Sequence, residues 1–255
     1  LPTIEEHRDM PIEEQLKHCL ALDNVDEIII GNAYASEDEF KAIDQVMKQV
    51  YVDVPKNEAF GFLADFIPHG MIKRVPFKIQ LDEGITELEK EILFNYPTHS
   101  DLGDCMNYML RSRWTRMIYK GKEIPCRPCT KTHYTRGDVV IVNDNLAHYR
   151  GEIQIVLKDM KVDGQRNLLG RIDESEIFIL EHIKAKDVFT FSAVLPPMIR
   201  LYSFLTAARI ASSNFCPPTL ISLLNTIPPK ERIEISVVSK PTSTISTPCE
   251  FLTSI

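Results

Sequence analysis

The stretch that most constrains the fold is Val25 to Phe40, VDEIIIGNAYASEDEF. Its β-branched run, Val25 with Ile28, Ile29 and Ile30, is too short for a helix and predicts a buried strand. Gly31 ends the run and permits a tight turn or the close approach of a ligand. Ser36 with Glu39 three residues on has capping-box spacing, so a helix is expected from Glu37 to about Val50. Strand, short polar loop and capped helix make one β/α unit, and in such folds ligands sit beyond the carboxyl ends of the strands. Asn32, Tyr34 and Ser36 then stand where chemistry is expected, the plainer reading being a βα connection with no ligand.

On either side of this unit the pattern changes. Leu1 to Arg8, LPTIEEHR, reads as a strand exit crowded with ionisable groups, suited to proton transfer and anion binding or simply a solvated loop. Asp9 is the expected cap of a helix from about Met10 to Leu22, with Pro11 tolerated in its first turn and Ile12, Leu16, Cys19 and Leu20 on one face. Residues 51–70 have little periodicity and read as a connection. Beyond them the spacing predicts strands at Val75 to Leu81, Trp114 to Tyr119, Asp138 to Val142, Glu152 to Leu157 and Glu176 to Ile183, and a short helix at Thr86 to Leu93. Such spacing fits a small β-barrel or sandwich. After residue 195 the chain holds eight of its sixteen prolines and none of its ten glycines, which predicts a poorly ordered tail with at most a short helix near Ile199 to Ile210.

Composition narrows the function classes. A chain of 255 residues that is 44% hydrophobic and 25% charged can bury a core of one large or two ordinary domains. A net charge of −7 argues against nucleic acid and anionic membranes as partners, and no apolar run is long enough to span a bilayer. Six cysteines do not make a disulfide framework at this length, so a cytoplasmic location is expected. Cys126 and Cys129 form one CxxC, weak for zinc without a second pair; His99, Cys105 and His133 would have to join it by folding. Arg111 to Arg116, RSRWTR, gathers guanidiniums suited to phosphate or carboxylate, or reads as an exposed strand. Asp138 to Gln154 looks like a hairpin with His148 as one acid–base candidate.

Taken together, LPTIEEHR, DEIIIGNAYAS, RGDVVIVNDNLAHYRGEIQI and NLLGRI resemble the bacterial 6-phospho-N-acetylmuramidase family. The resemblance runs from Leu1 to about Val194. It implies an α/β plus β fold: residues 1–55 as the end of a TIM-type (β/α)8 barrel, 56–70 as a connection, 71–195 as a cyclophilin-like β-barrel and 196–255 as a separate tail. A complete barrel needs about 200 residues, so the chain is expected to be a fragment holding the last strand–helix units. The implied activity is hydrolysis of disaccharides containing N-acetylmuramic acid 6-phosphate in cytoplasmic recycling of cell-wall sugars, with no cofactor and no metal. The other readings are a sugar-phosphate-binding module without catalysis and, from the cyclophilin-like fold alone, a prolyl isomerase.

Carried over position by position, Glu5, His7 and Arg8 match the family's Leu-Glu-x-His-Arg-type motif, with Ile4 where Leu is usual. Asn32 matches the polar position after the strand's glycine, and Arg111, Arg116, Tyr149, Gly151 and Glu152 match the C-terminal module. Glu5 and His7 are the expected catalytic pair. Arg8, Asn32, Arg111, Arg116, Tyr149 and Glu152 are the expected substrate contacts. Glu37, Asp38 and Glu39 already satisfy the helix dipole after Ser36, so the phosphate is expected at arginine.

Overall fold

The computed structural model describes residues 4–22, 24–25, 27–31, 34–104, 107–194 and the backbone of 235–238. Asn32, Cys105 and the helix expected near Ile199 to Ile210 lie outside the described residues.

The N-terminal part is helical with one short strand. A 3-10 turn at Glu5–His7 leads into α1 (Ile12–Ala21), which starts after Pro11 with no side-chain cap, so Asp9 does not take the capping role expected of it. Strand β1 (Glu27–Ile30) follows, then α2 (Glu37–Val50), closed at its start by the foreseen Ser36–Glu39 capping box. Ile12, Leu16, Cys19 and Leu20 of α1 pack on Val46 and Val50 of α2. Strand β1 is not buried as its sequence suggested: Ile29 and Ile30 are 41% and 36% exposed. Its only strand partner among the described residues is a later strand.

Residues 51–70 are more regular than their composition implies. Strand β2 (Tyr51–Val54) pairs antiparallel with β3 (Gly70–Lys73), and a 3-10 segment at Glu58–Asp65 bridges them. The chain then forms β4 (Val75–Leu81), α3 (Glu87–Asn95), β5 (His99–Ser100), β6 (Met109–Ser112), α4 (Trp114–Ile118), β7 (His133–Tyr134), β8 (Asp138–Val142), β9 (Ile153–Val156), β10 (Met160–Lys161), β11 (Arg166–Ile172) and β12 (Val188–Ala193). A distant β13 (Ile235–Val238) pairs antiparallel with β1.

Seven strands form one sheet in the order β5-β12-β4-β11-β8-β9-β6. A bridge between Asp101 and Ser112 joins its two edges, so the sheet is nearly closed into a barrel. Phe77, Ile79, Val139, Ile141, Ile153, Ile155, Leu169, Ile172, Phe189 and Phe191 fill it, with Ile92 and Leu93 of α3 in the same core. Strand β8 is buried along its whole length because its other face is covered too: Val140 packs with Tyr134 and Val156. At Gly170 the register of β11 shifts, and an added Cβ would lie 2.3 Å from the Gln80 carbonyl oxygen. Only glycine lets β4 and β11 approach so closely.

Two expected strands are helices. Residues 114–118 form α4, with Trp114 and Thr115 buried and Ile118 exposed. Residues 174–181 form a 3-10 segment capped by Asp173, whose carboxylate accepts from the Ser175 amide. The apolar runs at both places are core-facing turns, which a short window does not separate from a strand.

Helix α1 ties the N-terminal unit to the barrel. Lys17 and Glu176, 2% and 0% exposed, pair at 2.5 Å. The other Glu176 oxygen accepts from the Lys78 amide at 2.7 Å. Glu14 sits 3.8 Å from the Lys78 ammonium and accepts from the Ser175 hydroxyl.

Candidate functional site

The residues singled out in the sequence fall into two places. The first is built where β6, α4 and the start of β9 meet. Arg111, on β6 opposite Gln154 of β9, makes a two-pronged pair with Glu152: Nε to Oε1 at 2.6 Å and Nη2 to Oε2 at 3.1 Å. Glu152 is fully buried, so those bonds replace its lost hydration. Arg116, one turn into α4, brings Nη1 to 3.7 Å from the same carboxylate, too far for a hydrogen bond. That nitrogen is buried and has no hydrogen-bond partner among the described residues.

Tyr149 supplies the floor. The guanidinium carbons of Arg111 and Arg116 lie 5.5 and 5.3 Å from its ring centroid, within cation–π range. Gly151, at φ +84°, turns the chain between Tyr149 and Glu152, and its carbonyl accepts from the buried Thr115 hydroxyl at 2.7 Å. The turn and α4 are thereby held together, which fixes both arginines against one ring. Gln154 donates to Glu152 at 2.8 Å, and Arg166 donates to Gln154 at 2.8 Å. Glu152 holds the Arg111 guanidinium charged. Arg111 and Arg116 both face the Glu152 carboxylate, Asp104 adds a second negative charge near Arg111, and one Arg116 donor is left without a hydrogen bond among the described residues. Guanidiniums are the planar donors suited to phosphate or carboxylate.

The second place is the turn at Glu5–His7, where the motif is split. Glu5 is exposed and pairs with Arg8 through two hydrogen bonds of 2.8 and 2.7 Å. That pairing holds its carboxyl below the usual carboxylate range. His7 turns inward and bonds His18 of α1 at 2.7 Å. His18 also packs on Phe178 and, at 4.7 Å between ring centroids, on His182. Burial, then the neighbouring His7 and His182, push His18 down to about 4. Nδ1 of His7 and Nε2 of His18 have no hydrogen-bond partner among the described residues. Glu5 and His7 make their contacts with Arg8 and His18, not with the arginine cluster.

Sequence reasoning missed Gln154, Arg166 and His18. Gln154 carried a usable signal, standing two residues beyond Glu152 at the start of a strand expected from Glu152 to Leu157, and so on the same face of that expected strand. His18 and His182 carried none, being 164 residues apart in a chain whose pairing is set by the fold. The remaining candidates stay apart. His99 is fully buried between the Leu93 carbonyl and Ser112 hydroxyl, and His133 and His148 are exposed. Cys126 and Cys129 are free thiols, and among the described residues no His, Cys, Asp and Glu side chains group as metal ligands. No helix among the described residues is long and apolar enough to cross a membrane.

Two family profiles match the chain. Residues 1–45 match the profile described as 6-phospho-N-acetylmuramidase, N-terminal, and residues 75–192 the one described as 6-phospho-N-acetylmuramidase, C-terminal. Among solved structures, the chain is similar to an uncharacterized B. cereus protein at 34% identity and a TM-score of 0.60, over 74% of this chain and 47% of that one. It also matches a conserved Enterococcus faecalis protein of unknown function at 26% identity and a TM-score of 0.47, over 76% of this chain and 44% of that one. The chain thus spans less than half the length of either. No curated protein matches.

Proposed function

The chain belongs to the 6-phospho-N-acetylmuramidase family, and from that premise we propose that it is the part of a glycosidase that recognises a phosphorylated amino sugar, with the phosphate held by Arg111 and Arg116. The observation that carries this reading is the Arg116 Nη1 donor, buried with no hydrogen-bond partner among the described residues beside a Glu152 already engaged by Arg111. A phosphate oxygen supplies the acceptor this nitrogen lacks, and the Tyr149 ring beside both guanidiniums offers a face for a sugar ring. The substrate is a disaccharide containing N-acetylmuramic acid 6-phosphate, in cytoplasmic recycling of cell-wall sugars. The free thiols of Cys19, Cys126 and Cys129 suit a reducing compartment.

In this proposal residues 1–55 are the end of a (β/α)8 barrel and residues 71–195 a cyclophilin-like module. Glycoside cleavage needs two carboxyl groups flanking the bond. Glu5, kept ionised by Arg8, suits the nucleophile or general base and not the proton-donating acid. His7 orients the turn through His18. The partner acid comes from barrel strands that β1, α1 and α2 do not supply.

A second reading, a sugar-phosphate-binding barrel without catalysis, is favoured by the clustering of Arg111 of β6, Arg116 of α4, Tyr149 and Glu152 at one place, with Glu5 outside the cluster. Incubating the purified chain with the phosphorylated disaccharide tests the binding that both readings share, and Glu5→Gln in a full-length relative separates them. The proposal expects binding without measurable hydrolysis, and turnover near that of a full-length relative would overturn it. Arg8, Arg111 and Arg116 are replaced by Ala one at a time in the same assay; undiminished selectivity for the 6-phosphate in all three removes the phosphate assignment.

A further inference from the structure

We propose that β1 is a strand-acceptor edge whose occupant is the chain's own segment 235–238, a cis strand that shields β1 from pairing with other chains. Glu27–Ile30 pair antiparallel with Ile235–Val238 over the whole length of β1: Glu27 opposite Val238, Ile28 opposite Val237, Ile29 opposite Ser236 and Ile30 opposite Ile235. This is a two-stranded sheet outside the seven-stranded barrel. It joins residues about two hundred positions apart, and loop closure over that span has an entropic cost that four residue pairs must offset.

The need for an occupant is visible around β1. An unpaired strand presents a row of free N–H and C=O groups and is a template for another chain. Here the strand is also apolar, EIII, and Ile29 and Ile30 stay well exposed even with the partner in place. A cleft of about 410 Å³ lies alongside, walled by Leu20, Ile28, Phe40, Ile43, Met47 and Tyr51 among others. An apolar edge beside an apolar cleft is a self-association hazard unless something covers it.

The direction of pairing says what kind of cover this is. Neighbouring strands of a (β/α)8 barrel run parallel, whereas 235–238 runs antiparallel to β1. The segment is a substitute on the edge and not a barrel strand. Its sequence, ISVV flanked by Glu234 and Lys240, is β-branched and carries charges at either side, suiting it to one short pairing. The acceptor takes a partner of defined chemistry: an extended, β-branched segment of about four residues, offered antiparallel.

Proline tests this in the full chain. In an antiparallel ladder alternate residues bond to a given neighbour, so Ser236→Pro and Val237→Pro are made separately and one of them must remove a bond to β1. Hydrogen exchange of the Glu27–Ile30 amides is followed in each, with the Val139–Val142 amides of β8 as a folding control. The expected result is at least tenfold faster exchange at β1 in one variant, unchanged β8, and new concentration-dependent association. Adding a synthetic peptide of residues 231–240 should restore slow exchange saturably. β1 exchange equal to wild type in both variants would overturn the proposal, as would restoration by a scrambled peptide of the same composition.

Discussion

Lys17 and Glu176 offer the most demanding test of how α1 is joined to the barrel. Both are essentially shut off from water and meet at 2.5 Å. Burial pushes the Glu176 carboxyl up and the Lys17 ammonium down, and each partner's charge opposes the shift of the other. Removing one member of such a pair leaves an uncompensated buried group, at a typical cost of about 3–5 kcal/mol. For Lys17→Met the lower end applies: Glu176 keeps the Lys78 amide at 2.7 Å and the Lys78 ammonium at 4.0 Å. We expect about 3 kcal/mol. Glu176→Gln keeps an acceptor for that amide but leaves Lys17 facing a neutral group, at a similar cost. The double variant removes both charges and should lose only about 1–2 kcal/mol, well short of the sum. Urea unfolding is followed by far-UV circular dichroism and by the chain's single tryptophan, Trp114, 6% exposed in the barrel. Additive costs, or a Lys17→Met cost below about 1 kcal/mol, would refute the reasoning by showing a solvated pair.

Three further outcomes follow from particular contacts. His18 titrates near 4 when folded against 6.5 ordinarily, so it is neutral in both states above 6.5 and the unfolded chain takes up the proton first as pH falls. Its contribution is lost between those values, about 2 kcal/mol by pH 5, and His18→Gln should flatten the pH 7 to 5 stability slope by that amount; an unchanged slope would remove His18 from the account. Gly170→Ala drives a Cβ to within 2.3 Å of the Gln80 carbonyl, so thermal melting should show a loss of about 2 kcal/mol or more, and wild-type stability would mean β4 and β11 are not so close. In a full-length relative carrying this turn, Glu5→Gln should lower turnover about a hundredfold or more, and unchanged kinetics would exclude Glu5 from the chemistry.

Local chemistry was legible and tertiary context was not. The Ser36–Glu39 box placed the start of α2 because a capping box is decided within four residues. Val75–Leu81 was readable as a strand from its alternation, and Asp138–Val142 was also expected as one. The strand reading failed at 114–118 and 174–181, where apolar runs are equally served by a buried turn. The exposure of β1 was hidden because Ile28 to Ile30 look the same whether or not a second layer exists. Of the expected substrate contacts, Arg111, Arg116, Tyr149 and Glu152 lie against one another, a juxtaposition set by the pairing of β6 with β9 and not readable from their spacing in the sequence. The division of Glu5 from His7 was invisible, since it depends on which way one 3-10 turn faces α1.

The central claim is that the Arg111–Arg116 cluster reads a sugar phosphate, and titration calorimetry of the chain with N-acetylmuramic acid 6-phosphate tests it most directly. The account predicts saturable binding that the unphosphorylated sugar does not match. Arg116→Ala, which leaves the Arg111–Glu152 pair intact, should weaken it by about ten- to a hundredfold, as for a charged hydrogen bond lost. Equal binding of both sugars, or an Arg116→Ala chain that binds the phosphate as well as wild type, would contradict it.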